Sequence, residues 1–408
     1  MKILFLTGLY SKESEIYYSS VLKQGALANP SNVYQWGVVK GMLENNMDFE
    51  VCSFPFLPTF PSGVKIKQTL QEDLTLAGKT VGKSYSYSTI AGIKEFDIIR
   101  KLKMILHKWA RTCAEIDTGI ILIYSLYGPF LKAAVDCAKT FDNIKVCPIV
   151  TDLFISSLSV LKTYPFLKKI QGVVEYKRIK YGLDNADTFV LLARGMVKYV
   201  PRALDNHVII EGIAADDLPC PTSKDQDFKR ILLYTGSLGK HTSVKELLDA
   251  FLMTTDESFR LIICGAGYYS EYIELKAKED NRIVFKGAVS REHAVRLQKE
   301  ATLLINPRLS SIPDTPYSFP SKTMEYLVSG TPMIGYKLEG IPSEYYKYFY
   351  IPHNESVEAL AEVITETLRL PQKELDQRAF ESWRFITEKK TAKQQISKLD
   401  NYFRTTFR

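Results

Sequence analysis

The sequence predicts an α/β protein built of two doubly wound, parallel-sheet domains. Strand-like and helix-like runs alternate through both halves, the pattern of parallel sheets covered by helices on both faces. A polar stretch at about 205–229, with Pro219, Pro221 and Asp225-Gln226-Asp227, separates the two series and reads as a linker. The chain has 408 residues, enough for two domains or more.

In the first series, residues 2–7 read as a buried strand, 35–45 as a helix and 49–54 as the next strand. A helix follows at 102–113. Residues 119–124, GIILIY, make a strong apolar strand, followed by a helix over 129–140 and a strand at 145–150. A basic helix around 175–181 precedes the last strand, 187–193. The second series opens near 230, where ILLYT runs into the loop GSLGK. It continues with a helix at 244–251, a strand at 260–264 ending in Gly265 and Gly267, and a helix at 271–278. A strand at 282–285 ends at Gly287, a helix spans 291–300, and a strand at 302–306 stops just before Arg308. A short helix, a strand at 333–336, a helix at 357–369 and a long charged helix over 377–402 complete the chain.

Composition narrows the function classes. Hydrophobic residues make up 46% and charged residues 24%, the proportions of a soluble globular protein. No apolar run approaches the roughly 18–20 residues that span a bilayer. The segment MKILFLTGLY lacks a small-residue cleavage site and reads as a first buried strand, not as a signal peptide. The six cysteines are scattered without a C-x-x-C and suit a reducing cytoplasm. The five histidines form no metal-ligand spacing. Asp225-Gln226-Asp227 has the form of a metal-binding D-x-D but lies in the linker, and reads as a solvated loop. The net charge is +7, with lysines and arginines dense at 65–111 and 162–180 among Tyr85, Tyr87, Phe96 and Trp109. Such stretches suit a peripheral contact with an anionic lipid surface. A solvated basic face and a nucleic-acid surface are the alternatives.

The chemistry concentrates in 317–336, YSFPSKTMEYLVSGTPMIGY. Pro320 suits the first turn of a helix, and Ser318 or Ser321 can cap it. Gly330 stops that helix and Pro332 prevents its resumption. Free amides and the positive end of the helix dipole make an anion site, to which Lys322 adds a full charge. Glu325, about one turn on, is placed to accept bonds from two neighbouring hydroxyls, as on a ribose. Diphosphate and ribose together describe a nucleotide-sugar.

This stretch resembles the donor-site signature of glycosyltransferase family 4, Glu-x7-Glu with the second Glu inside E-(A/Y)-(M/L)-x-x-G-x-P-(V/M)-I. Residues 325–334, EYLVSGTPMI, match the second half. The first half departs, because Tyr317 stands eight residues upstream where the family has Glu. The FPSKxxEY form is similar to a branch that builds bacterial surface polysaccharides. Cys264-Gly265-Ala266-Gly267 and 285–289, FKGAV, resemble the family's later loops, so the likeness covers roughly 230–365.

The resemblance implies a GT-B fold: two Rossmann-like domains facing across a cleft, at 1–205 and 206–384, with the helix end 385–408 crossing back to the first. It implies a retaining transfer of a sugar from a nucleoside-diphosphate donor, UDP by default, to a hydroxyl of a glycan or polyprenyl-linked acceptor, with no metal or other cofactor. The expected setting is the cytoplasm, or the inner face of the cell membrane, without nucleic-acid partners. Donor-binding candidates are Gly8, Gly236, Ser237, Arg308, Tyr317, Ser318, Phe319, Ser321, Lys322 and Glu325. The family's usual Arg and Lys positions hold Ser237 and Thr242, so Lys240 is the substitute cation, with Arg308 a second. Asp152 sits where many members have a polar residue facing the sugar, and Ser125 or Tyr127 replaces the usual His. Asp152 and Lys240 are the catalytic candidates; for Asp152 a helix cap is the competing role. A non-catalytic partner subunit and a sugar-nucleotide epimerase are the alternative functions. A dehydrogenase is disfavoured because no G-x-G-x-x-G follows the first strand.

Overall fold

A computed structural model describes the chain except residues 24–26, 28, 116–117, 152–165, 215–219, 224–229, 314 and 408. The chain divides into two units, Met1–Ile213 with Ala392–Arg408, and Ala214–Thr391.

The first unit holds strands β1 (Lys2–Thr7), β2 (Phe49–Ser53), β3 (Glu72–Leu76), β4 (Lys79–Ser84), β5 (Gly119–Tyr124), β6 (Ile144–Val150), β7 (Phe189–Leu191) and β8 (His207–Ile209). Its helices are α1 (Lys12–Val21), α2 (Asn29–Glu44), α3 (Lys94–Thr112), α4 (Gly128–Ala138) and α5 (Phe166–Asn185). The sheet order is β3-β4-β2-β1-β5-β6-β7-β8, and every pairing is parallel except β3 with β4. All six residues of β5 are buried, as a central strand covered on both faces requires. The β3–β4 hairpin, absent from the sequence prediction, turns on Ala77 and Gly78, both at positive φ (50° and 74°). That is the backbone of a two-residue hairpin turn, usually announced by Asn-Gly.

The second unit holds β9 (Arg230–Thr235), α6 (Val244–Leu252), β10 (Phe259–Cys264), α7 (Ser270–Glu279), β11 (Ile283–Gly287), α8 (Arg291–Glu300) and β12 (Leu303–Asn306). Then come α9 (Ser321–Val328), β13 (Met333–Gly335), β14 (Phe349–Tyr350), α10 (Val357–Arg369) and α11 (Gln372–Lys389). Its sheet runs β11-β10-β9-β12-β13-β14, parallel throughout.

The single long helix expected at 377–402 is instead two, α11 and α12 (Ala392–Thr406). Lys390 occupies the break, 1% exposed, its Nζ 2.6 Å from a Glu344 carboxylate oxygen and over the rings of Tyr345 and Phe385. Burying that ammonium outweighs continuing the helix, because the ion pair and both rings compensate its desolvation. Beyond the break, α12 packs on α2 and places Ile396, Leu399 and Phe403 in the core of the first unit. Gly41 of α2 permits this approach: a Cβ there would lie 2.3 Å from Ile396 Cγ1 and 2.4 Å from the Ala392 carbonyl oxygen. Among the described residues no helix is long and apolar enough to cross a membrane.

Candidate active site

At the carboxyl ends of β9, β10 and β11 three glycine-bearing loops touch backbone to backbone. The Gly236 amide donates to the Cys264 carbonyl (2.8 Å), Leu238 to Ala266 (3.0 Å), and Gly265 to Gly287 (2.7 Å). A Cβ on Gly265 would stand 1.8 Å from the Gly236 carbonyl oxygen, and one on Gly267 2.7 Å from the Leu238 carbonyl carbon. The contacts themselves therefore demand glycine.

Helix α9 meets this floor. A Cβ on Gly236 would fall 2.2 Å from Lys322 Cε and 2.5 Å from its Nζ, so the ammonium lies directly over the glycine. Nζ is 5.8 Å from the ring centroids of both Tyr234 and Tyr326. Burial lowers the Lys322 pKa below the usual lysine value, and Glu325 one turn on opposes that shift. An ammonium held over aromatic faces and glycine backbone is suited to receive an anion.

Glu325 is fixed from behind. Gln298 of α8, 1% exposed, donates from Nε2 to Glu325 Oε1 and to Thr235 Oγ1 (3.0 Å). The Gln298 carbonyl accepts from the Thr331 hydroxyl at 2.6 Å. The Tyr326 hydroxyl accepts from the Thr235 amide (3.1 Å) and is 3.2 Å from the Thr235 carbonyl. The end of β9, α8 and α9 are thus one bonded assembly. Sequence reasoning missed Gln298, which lies in an ordinary amphipathic helix with no motif around it.

The start of α9 departs from expectation. Pro320, not a serine, occupies the N-cap (φ −67°, ψ 112°), and no side chain caps the helix. Among the described residues the amides of Ser321 and Lys322 have no partner. Ser321 is exposed as the first helical residue. Among the described residues the Ser318 hydroxyl is buried without a hydrogen-bond partner, although it was one of the two serines expected to cap the helix. The Phe319 ring is 9% exposed and packs on Tyr345 in the core, centroids 5.5 Å apart. Gly330 takes a left-handed conformation (φ 77°) after the helix, as a C-terminal stop should.

Of the other candidates, Ser237 is exposed and its carbonyl accepts from the Tyr234 hydroxyl at 2.7 Å. Lys240 sits 4.2 Å above the ring of Tyr268, in the loop after β10. Arg308 follows β12 and donates from Nε to Thr315 Oγ1 at 2.9 Å. Tyr317 is half-buried in a 3-10 turn, Thr315–Tyr317. In the first unit the Gly8 amide already donates to Gln35 Oε1 (2.9 Å), and a Cβ on Gly8 would strike the Phe56 ring at 2.3 Å. That glycine makes room for an aromatic side chain, and its amide donates within the protein. Asp152 and Asp225-Gln226-Asp227 lie outside the described residues.

Residues 222–381 match the family of group 1 glycosyl transferases. No curated relative matches the sequence. Three solved structures align over nearly the whole of both chains. The apo lipopolysaccharide outer core galactosyltransferase WaaB is 16% identical, covers 99% of each chain and has a TM-score of 0.58. Sucrose-phosphate synthase from Thermosynechococcus elongatus is 14% identical, with 100% of this chain and 99% of its own covered at 0.62. HepE of Anabaena, solved in complex with UDP, is 12% identical, with 98% and 100% covered at 0.58. The fold is GT-B, with two Rossmann-like units. The group 1 glycosyl transferase domain at 222–381 bears out the expected likeness to glycosyltransferases.

Proposed function

We propose that this glycosyltransferase moves a sugar from a UDP-sugar to a hydroxyl of a glycan or lipid-linked acceptor, with retention of configuration, in the biosynthesis of a cell-surface polysaccharide. The observation that carries the reading is the pairing of Lys322 over Gly236 with Glu325 held by Gln298.

The difficulty of the reaction is charge building on the departing diphosphate. In this reading Lys322 and the uncapped amides of Ser321 and Lys322 receive that charge, with Lys240 and Arg308 the further cations and no metal required. Glu325 accepts bonds from the ribose hydroxyls, and Gln298 holds its carboxylate in place. The bond from the anomeric carbon to phosphate oxygen breaks, the bond to the acceptor oxygen forms on the same face, and a phosphate oxygen takes the acceptor's proton. Tyr317, in place of a carboxylate, then positions the sugar. Binding of UDP by HepE supports the choice of base. The same reading places the enzyme at the cytoplasmic face of the membrane, where exposed Phe96 and Met104 on the lysine-rich α3 suit a peripheral contact.

The test is a thermal-shift screen against UDP, GDP, ADP and a panel of their sugars, with Glu325→Ala beside the wild type. Stabilisation by UDP that the variant loses is the expected outcome. A shift by another nucleotide would replace the base, and an equal shift in the variant would sink the role of Glu325.

A further inference from the structure

A cavity of about 410 Å³ lies wholly within the first unit and is lined by Phe54, Phe56, Leu57, Tyr87, Lys94 and Tyr127 among others. Its size falls in the roughly 300–1,000 Å³ range of small-ligand pockets. Residues 54–58 follow β2 and Tyr127 follows β5, so the cavity opens at the carboxyl ends of parallel strands, where doubly wound sheets bind ligands. Its wall is apolar and aromatic. Phe56 stands edge-on to Tyr127 with centroids 5.6 Å apart, and Tyr127 stands edge-on to Phe130 at 4.9 Å. Phe56 is 36% exposed, as a side chain at a mouth would be.

One cation interrupts this wall. Lys94 donates to the Leu57 carbonyl and lies 5.9 Å from the centroid of the Tyr87 ring. A lysine ammonium has three donors, and among the described residues this one uses a single donor. Of the neighbouring carboxylates, Glu95 pairs with Arg178, and Glu175 accepts from the Gly128 amide at 2.6 Å through Oε1, while its Oε2 is buried without a partner among the described residues. Burial lowers the Lys94 pKa, while Glu95 and Glu175 oppose that effect. The Tyr127 hydroxyl is buried and has no hydrogen-bond partner among the described residues.

We infer that this cavity holds the apolar chain of an anionic amphiphile, a single hydrocarbon chain bearing a phosphate, with the phosphate on Lys94. An aromatic wall with one incompletely used ammonium matches that chemistry on both counts. A neutral sugar would leave the ammonium without an anion, and a bare phosphate would leave the apolar wall in water. The inference deepens the transferase reading by choosing the lipid-linked class of acceptor, and it rests on that reading only for the ligand's role.

The experiment is titration calorimetry on the full chain with decyl phosphate below its micellar concentration. Decanol, inorganic phosphate and a neutral disaccharide serve as comparison ligands. Decyl phosphate is expected to bind with a negative heat-capacity change. Decanol should bind at least tenfold more weakly, and phosphate and disaccharide not measurably. Lys94→Met should weaken decyl phosphate tenfold and leave decanol unchanged, while Ile98→Phe, which fills the cavity, should weaken both. Equal binding of decanol and decyl phosphate, an unaffected Lys94→Met variant, or binding by phosphate or disaccharide alone would each overturn the inference. The UDP thermal shift of each variant reports folding of the second unit. A chain that keeps this shift but ignores decyl phosphate refutes the cavity alone, and one that does the reverse refutes the donor site alone.

Discussion

The two units build their sites by different means. In the second, glycine backbones pack within contact of one another and two charged side chains, Lys322 and Glu325, arrive from one short helix. In the first, aromatic side chains from three separate loops enclose a cavity around the single ammonium of Lys94. A backbone-built site has little freedom in its sequence, because each close approach admits only glycine and each helix end needs its punctuation. A side-chain-built site can be made from many combinations of rings. The first kind leaves a signature in the sequence and the second does not.

The sharpest way to break this contrast is to add one methyl group to each unit. Gly265→Ala places a Cβ 1.8 Å from a carbonyl oxygen that has nowhere to go. Nucleotide binding should disappear and stability fall by about 1–3 kcal/mol, read by denaturant unfolding. Gly8→Ala meets first the Phe56 ring, a side chain that can swing. It should disturb the first unit's cavity and leave the UDP shift intact. Equal loss of nucleotide binding in both variants would dissolve the distinction.

Next in size are the two lysines. Lys322→Met should lower kcat by about 10²–10³-fold, the cost of removing one preorganised donor to developing charge. Lys94→Met should leave nucleotide affinity unchanged. A Lys322→Met enzyme with normal kcat and a raised KM would move the lysine from charge stabilisation to ground-state binding.

What was legible follows the same division. The alternation of strands and helices announced both sheets, and 317–336 announced α9, its glycine stop and its charged pair. Three of the features that escaped did so because they depend on partners distant in sequence. Gln298 reaches Glu325 and Thr235 only after α8 and α9 pack, and nothing in REHAVRLQKE marks it. The break at Lys390 depends on Glu344, 46 residues upstream, on its neighbour Tyr345, and on Phe385, five residues back in α11. Phe319 stands in the signature but belongs to the core, since motif spacing says nothing about which way a ring points. The missing serine cap is a different case. Sequence rules expect a helix end to be satisfied, and a site for an anion is a helix end left open.

Smaller effects test the support behind Glu325. Glu325→Ala should raise the donor KM by about tenfold to a hundredfold, the worth of hydrogen bonds to a charged group. Gln298→Leu removes only the brace and should cost a few-fold to about tenfold. Because Gln298 is argued to act through Glu325, the double variant should be no worse than Glu325→Ala alone. Additive losses would give the glutamine a separate role, most directly through Thr235.

The smallest effect is on pH dependence, and its sign is fixed by burial. Free Lys322 has a pKa below that of an ordinary lysine, because burial disfavours its charged form more than Glu325 restores it. A bound diphosphate favours the charged form and raises that pKa, so binding takes up a proton wherever the free lysine is already losing one. Affinity for UDP should therefore fall as pH rises through the pKa of the free lysine, by no more than tenfold per pH unit for one proton. Calorimetry in two buffers of different ionisation heat measures that proton uptake directly. The uptake should vanish in Lys322→Met. Its persistence there would place the titrating cation elsewhere on the phosphate path, with Lys240 on Tyr268 the first to examine.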